Sequence, residues 1–404
     1  MQSQAPVQEQ VPAPTLKTRP RRRVKKNDSE SNSGWRIIKF DYPLFFITIV
    51  LCVFGLAMLL SASYFVAYRE YGDTYHFFRN QLVFVGIGFT AMIAISLVNY
   101  ELLMKRWVLL LLGGGSLAMM LAVRLGAGVT QGGAERWINL GFVTFQPSEI
   151  LKFAMIVMLA WVVHRNPEQI KTKEGFFRVA AIVGLACGLT VIQPHLSGTV
   201  IMFLIGVTLM CVGGVRWYWF VAMFTGIAAV IPFVPAIMKF FNFTYSDARF
   251  LSWRDPFADT TDKTFQTFQS LVSIGSGGLF GLGLGNSRQK FSFLPAAQND
   301  FIFSVIVEEL GFIGGALVLL LFVAFVLRGF YIAKCATDRF GMMLAVGITV
   351  QIGIQAFLNI AVATNTIPNT GVSLPLFSYG GTAIVMQLAQ IGVLLNISRK
   401  ARIE

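Results

Sequence analysis

Charge is scarce in this 404-residue chain: Asp, Glu, Lys and Arg make up 13% of it, about half of the roughly 25% found in an average soluble protein. So few ionic groups could not solvate the surface of a water-soluble fold, whereas 55% hydrophobic residues suit a chain whose solvent is lipid. Cysteine and histidine are sparse as well. Cys52, Cys187, Cys211 and Cys335, with His76, His164 and His195, show no Cys-x-x-Cys or Cys/His ligand spacing. That excludes a disulfide framework and a zinc site, and leaves the cysteines as small apolar fillers. No internal repeat of fixed period occurs, which weakens an inverted-repeat transporter. A Walker-type phosphate loop is also absent.

What is abundant is uninterrupted apolar sequence. Runs close to the ~20 residues a helix needs to cross a bilayer fall at about 44–63, 82–98, 107–124, 149–163, 179–193, 198–214, 217–236, 303–327, 341–363 and 375–397. They predict an all-α polytopic membrane protein of about ten transmembrane helices, occupying 41–400. Residues 1–40 are rich in Gln, Pro and Ser and carry the basic run 21–26 without a helical apolar period, which reads as a disordered tail. No short apolar segment with a small-residue cleavage site follows, so the first run is expected to remain as a span.

The net charge of +13 suits nucleic acid until the charges are placed. With the N-terminus inside and the spans alternating, 22 Lys and Arg fall on the inner side and ten on the outer, and Lys152 lies within a span. The positive-inside rule requires that excess. Both termini are then cytoplasmic, and the basicity serves orientation and attraction to anionic inner-leaflet lipid, with no nucleic acid needed. The one long connection, 237–302, becomes an extracytoplasmic loop between helices 7 and 8. Its Phe250, Trp253, Phe257, Phe265, Phe268 and Leu271 argue for a folded, functional segment.

Four places carry candidate chemistry. The loop's glycine-rich run, 275–290, ends in Arg288 and Lys290, and glycines permit close backbone approach to a ligand. Asp300 stands where the eighth span begins; it reads either as a helix N-cap or as a general base where a lipid-linked substrate presents its head group. Glu149 and Lys152, in Gln-Pro-Ser-Glu-Ile-Leu-Lys at 146–152, share a helix face as an ion pair, serving function, or packing and coupling. Arg136 and Trp137 offer an interfacial substrate a cation and an aromatic ring, or Trp137 is a membrane-belt anchor. In Ser373–Gly381, Pro375, Gly380 and Gly381 break the helix, which points to a cavity wall with Ser378 and Gly380 as lining candidates. His195, alone in a short outer turn, is not read as a metal ligand.

At these residues the chain resembles the SEDS family, named for shape, elongation, division and sporulation, over about 41–400. The marks are the stretch 146–152, the Gly-Asn-Ser-Arg-Gln-Lys ending at 285–290, Asn-Asp300-Phe-Ile-Phe followed by Glu308-Glu309-Leu-Gly, and Leu-Pro-Leu-Phe-Ser-Tyr-Gly-Gly at 374–381. The connection 285–295 and the ending 392–399 look more like the FtsW and SpoVE branch than like RodA. The chain departs from the family at His195, where members often have Asp, at Pro295-Ala296 and at Thr264-Phe265-Gln266.

The resemblance implies a peptidoglycan glycosyltransferase that polymerises lipid II at the outer face of the cytoplasmic membrane, at the division septum first and in sporulation as the alternative. It also implies a class B penicillin-binding protein as the crosslinking partner, with other divisome proteins. Asp300 would match the family's essential aspartate, and Glu149 with Lys152 its ion pair. Such a reaction needs a base for the acceptor hydroxyl, assigned to Asp300. It also needs positive charge for the leaving diphosphate, assigned to Arg249, Arg288, Lys290 or a divalent cation such as Mg or Mn, with no organic cofactor. The rival expectation is a lipid II flippase, which would need charges deep in several spans; by sequence only Glu149 and Lys152 lie at that depth.

Overall fold

The computed structural model describes residues 41–401, apart from 132–133, 140, 142–143, 194, 231–244, 261, 263, 291–293 and 296. The tail read at 1–40 lies outside the described residues. Among the described residues twelve α-helices follow in chain order: α1 Tyr42–Tyr71, α2 His76–Leu97, α3 Arg106–Ala122, α4 Pro147–Arg165, α5 Lys173–Ile192, α6 Leu196–Gly213, α7 Trp217–Val230, α8 Tyr245–Arg254, α9 Phe265–Gly277, α10 Ile302–Cys335, α11 Arg339–Ala363 and α12 Gly381–Lys400. Nine of these are long and apolar enough to cross a membrane. The tenth expected span corresponds to α7, which is described only to Val230. The chain is thus a multi-pass helical membrane protein.

Local chemistry sets the helix ends. Asp41 caps α1, its carboxylate accepting from Leu44 N at 2.8 Å, and a left-handed Gly72 closes that helix, the conformation only glycine adopts freely. Pro147 occupies the first turn of α4, where its missing N–H is no loss. The layering follows burial. Of the most apolar window of α11, 78% is buried, and 67% of those of α4 and α12, against 22% for α3. Hence α4, α11 and α12 form the centre, while α2 and α3 present Leu82, Val83, Leu110 and Leu111 to lipid.

Three features depart from the simple bundle. First, the segment between α3 and α4 forms a small antiparallel sheet, β1 Gly128–Gln131, β2 Ala134–Asn139 and β3 Thr144–Phe145, in the order β1-β2-β3. Second, the last span begins at Gly381 and not near 375. Residues 364–380 run back into the protein without regular helix, with Leu374, Leu376 and Phe377 buried and Leu376 held at φ 65°.

Third, the long loop is largely folded against the bundle. Ser270 Oγ of α9 lies 2.6 Å from Ser304 Oγ and donates to Ala363 O at 2.7 Å. The glycine-rich run then packs on α10 at a kink where Gly311 takes φ 69°. Here Leu282 N and Gly283 N donate to the carbonyls of Glu308 and Glu309, and Phe312 N donates to Gly278 O. A Cβ at Gly281 or Gly311 would stand 2.2–2.3 Å from a backbone oxygen of the facing segment, so glycine is required on both sides.

Candidate active site

The outer ends of α2, α4, α6 and α12 surround a cavity of about 730 Å³, lined also by β2, by Arg249 of α8, by residues 299–300 and 371–373 and by Gln355 of α11. Asp300, Arg249, Arg136, Trp137, Glu149, Lys152, His195 and Gly380 all line it. Residues scattered over some 245 positions are thereby brought together, because β2, α8, the start of α4 and the connections just before α6, α10 and α12 meet at one end of the bundle.

Asp300 precedes α10, but the N-cap of that helix is Phe301 and no side chain caps it. The capping reading therefore falls, and the carboxylate faces the cavity. Its backbone is fixed from beneath: Asn359 Nδ2 donates to Asp300 O at 2.7 Å and to Val372 O at 2.6 Å. Opposite stands Gly371, at φ +68°, where an added Cβ would lie 3.3 Å from Asp300 Oδ2 and 3.7 Å from Arg249 Nη2. One glycine thus leaves room for the carboxylate and the guanidinium together. Arg249 is held on α8 by donating from Nη1 to Asn369 O at 3.0 Å.

Burial pushes the Asp300 carboxyl above its ordinary range, and the charges of Arg249 and Arg136 oppose that shift only in part. Arg249 is lowered to about 10, mainly by burial and then by Arg136, with Asp300 acting against it. Arg136 is lowered by burial, again against Asp300. His195 is pushed down to about 3 by burial and by the nearby Arg136 and Lys152, so it stays neutral at physiological pH.

Glu149 and Lys152 pair at 2.8 Å with both side chains buried. Lys152 Nζ also donates to Gln355 Oε1 at 3.4 Å, and Gln355 Nε2 donates to Ser373 O at 3.2 Å. The pair therefore links α4 through α11 to the segment that carries Gly371. Ser378 is not a lining residue. Its Oγ donates to Asn299 O at 2.6 Å and accepts from Leu374 N at 2.8 Å, while Tyr379 N donates to Gln298 O at 2.9 Å. These bonds stitch the returning segment to the residues just before Asp300.

Arg288 and Lys290 are not brought to this cavity. Arg288 is exposed. Lys290 is buried, with Nζ 3.0 Å from Glu309 Oε1, 3.1 Å from Ser61 Oγ and 2.6 Å from Gly285 O. The cause lies in α10. Glu308 and Glu309, 1% and 0% exposed, sit within an apolar helix and draw in donors: Lys290 and Ser61 for Glu309, and Ser287 Oγ and Arg288 N for Glu308. This corrects the view that only Glu149 and Lys152 lie at helix depth.

Sequence reasoning passed over Gly371, Asn359 and Gln355. A signal existed, since an amide in an apolar span is expensive unless it has work to do. Among the described residues, no group of three or more His, Cys, Asp or Glu side chains is placed to hold a metal ion.

A family model described as "Cell cycle protein" (FtsW, RodA, SpoVE) matches residues 42–403. Stage V sporulation protein E of Bacillus subtilis strain 168 is 40% identical over 363 residues, covering 90% of this chain and 98% of that one. A probable peptidoglycan glycosyltransferase FtsW of Geobacter sp. strain M18 is 34% identical over 369 residues, covering 91% and 99%. Among solved structures, a chain from a study of how a peptidoglycan synthase complex coordinates polymerization and crosslinking superposes with TM-score 0.74 at 25% identity, over 91% of this chain and all of that one. The rod shape determining protein RodA of Thermus thermophilus shares the fold at TM-score 0.66, over 92% of this chain and 99% of that one. With the match spanning nearly every described residue, this chain belongs to the FtsW, RodA and SpoVE family of cell cycle proteins.

Proposed function

We propose that this protein is a peptidoglycan glycosyltransferase that polymerises lipid II at the outer face of the cytoplasmic membrane. The observation that carries the reading is the Asp300 carboxyl, raised above its ordinary pKa range in a cavity shared with Arg249 and Arg136, while the other carboxylate of the lining, Glu149, is paired with Lys152. A carboxylate of raised pKa is a better base. Asp300 takes the proton from the 4-hydroxyl of the acceptor sugar as that oxygen attacks the anomeric carbon of the donor. The bond to the undecaprenyl diphosphate breaks, and Arg249 and Arg136 stabilise the departing charge. One carboxylate suffices, because inversion needs no protein-bound sugar.

Arg249 and Arg136 replace Arg288 and Lys290 in this role, because they share the cavity with the carboxylate. Trp137 and Gly380 supply the remaining wall for the sugar and lipid stem. A Mg²⁺ or Mn²⁺ ion would arrive with the diphosphate, since such ions take one or two carboxylates plus phosphate oxygens; no step above is routed through it. The transpeptidase partner we assign is a class B penicillin-binding protein, with septal division as the setting and sporulation as the alternative suggested by the 40% identical relative.

Purified Asp300→Asn protein is expected to fold and to stop making glycan chains from lipid II. Chains of normal length from that variant would overturn the reading. The flippase alternative is tested by the same variant in vesicles, where translocation of lipid II that persists without polymerisation separates the two.

A further inference from the structure

We propose that the cytoplasmic end of the bundle holds a site for one acyl chain of an anionic glycerophospholipid, with its phosphate at Lys400 and Arg399. A cavity of about 240 Å³ lies between α2, the short helix Tyr100–Met104, α4 and α12, lined by Ile95, Tyr100, Leu103, Phe153, Met386 and Asn396 among others. Its surface is mostly hydrocarbon: Asn396 turns its polar atoms away, Oδ1 accepting from Tyr100 N at 3.0 Å and Nδ2 donating to Ser96 O at 2.7 Å, while the buried Gln390 amide, also in the lining, has no hydrogen-bond partner among the described residues.

Length identifies the part of the lipid that fits. From Met386 to Asn396 the slot follows ten residues of α12, which is about 15 Å at ~1.5 Å per residue. That is half of a ~30 Å hydrocarbon core. The lining therefore runs the depth of one leaflet, and it reaches the end of α2 at Val98 and Asn99 and the last turns of α12 at Asn396. The distribution of Lys and Arg makes that end cytoplasmic.

Charge identifies the head group. Lys400 Nζ stands 2.7 Å from Asn99 Oδ1 and 5.0 Å from the centre of the Tyr100 ring, and both residues line the cavity. Arg399 Nη1 donates to Ser96 O at 2.8 Å. Lys105 and Arg106 are exposed at the same end. The acidic groups there are Glu101, 2.9 Å from Lys400, and Asp338, which accepts from the Tyr100 hydroxyl, so the four cations stand two in excess. Basic pockets between helices on this side select anionic head groups. This site rests on the inner end of the bundle alone and stands or falls separately from the chemistry of the outer cavity.

The test is native mass spectrometry of the full chain in neutral detergent, titrated with phosphatidylglycerol or phosphatidylcholine of identical acyl chains. The expectation is one retained phosphatidylglycerol, preferred about tenfold, the equivalent of about 1.4 kcal/mol. Ala389→Trp, on the slot wall, abolishes retention. Arg399→Gln with Lys400→Gln removes the preference. Leu111→Trp on the exposed face of α3 leaves both unchanged. Met386→Phe narrows the slot with a smaller change and serves if Ala389→Trp fails to fold. Equal retention of the two lipids by the unaltered chain, or full retention by both slot variants, overturns the proposal.

Discussion

Replacing Lys290 by Met separates a structural lysine from a substrate-binding one. Its ammonium is 3.0 Å from Glu309 Oε1, with the side chains 4% and 0% exposed. Removing the cation leaves a carboxylate inside α10 with only Ser61 Oγ and Ser287 N as neutral donors. Breaking a buried pair in this way costs about 3–5 kcal/mol. At about 2 °C per kcal/mol for a chain larger than 150 residues, the unfolding midpoint should fall by roughly 6–10 °C, read by thermal aggregation or by fluorescence-monitored gel filtration in detergent. Glu309→Gln in the Lys290→Met background should recover most of that loss, because a neutral amide no longer needs a counter-charge. The cycle of single and double variants then measures the coupling. Lipid II polymerisation per folded molecule should stay close to the unaltered level below the new midpoint. The reasoning is refuted if Lys290→Met keeps its midpoint yet loses polymerisation, since that would return Lys290 to the substrate.

Other predictions address the outer cavity. Because burial raises Asp300, the base is protonated at a higher pH than an ordinary carboxyl, so activity should fall as pH drops through a midpoint above the usual Asp range; an acid limb at the value of a free Asp contradicts this. Arg249 keeps its charge although burial disfavours it, so Arg249→Gln should lower polymerisation at every pH while leaving the acid limb in place; an unchanged rate would remove Arg249 from the leaving-group role. Gly371→Ala should cost about 1–2 kcal/mol of stability at its left-handed position and lower polymerisation further by crowding Asp300; unchanged activity would show that this contact does not matter. Lys152→Met should destabilise by about 3–5 kcal/mol, and Glu149→Gln beside it should restore stability. If the double variant is stable but inactive, the pair acts on the reaction and not only on packing.

Much of this was legible one residue at a time. Hydrophobic runs reported spans because a helix in lipid satisfies its own backbone, and nine of the expected runs recur as helices within several residues. The ends moved where glycine and proline interrupt the chain, as at 364–380, because apolar composition alone does not distinguish a buried returning segment from a helix. Glu149, Lys152 and Asp300 were recognisable as charges in or at the mouth of a span, which lipid does not tolerate without purpose, and Arg136 and Arg249 as cations of the outer loops. Arg288 and Lys290 had the same appearance, yet only their partners separate the two groups. Glu308 and Glu309 lie within a turn of each other on α10, and the loop bends to neutralise them.

The sequence by itself determined that the chain lives in a membrane, which side its termini face, and which motifs tie it to its family, since hydropathy and the Lys/Arg distribution are properties summed along the chain. The tertiary structure decided which charges meet. Asp300 faces Arg249 and Arg136 because Asn359, Gly371 and Ser378 dock a returning loop beneath it, while Lys290 is held by Glu309. Those contacts depend on packing between residues up to hundreds of positions apart, and no local pattern specifies them.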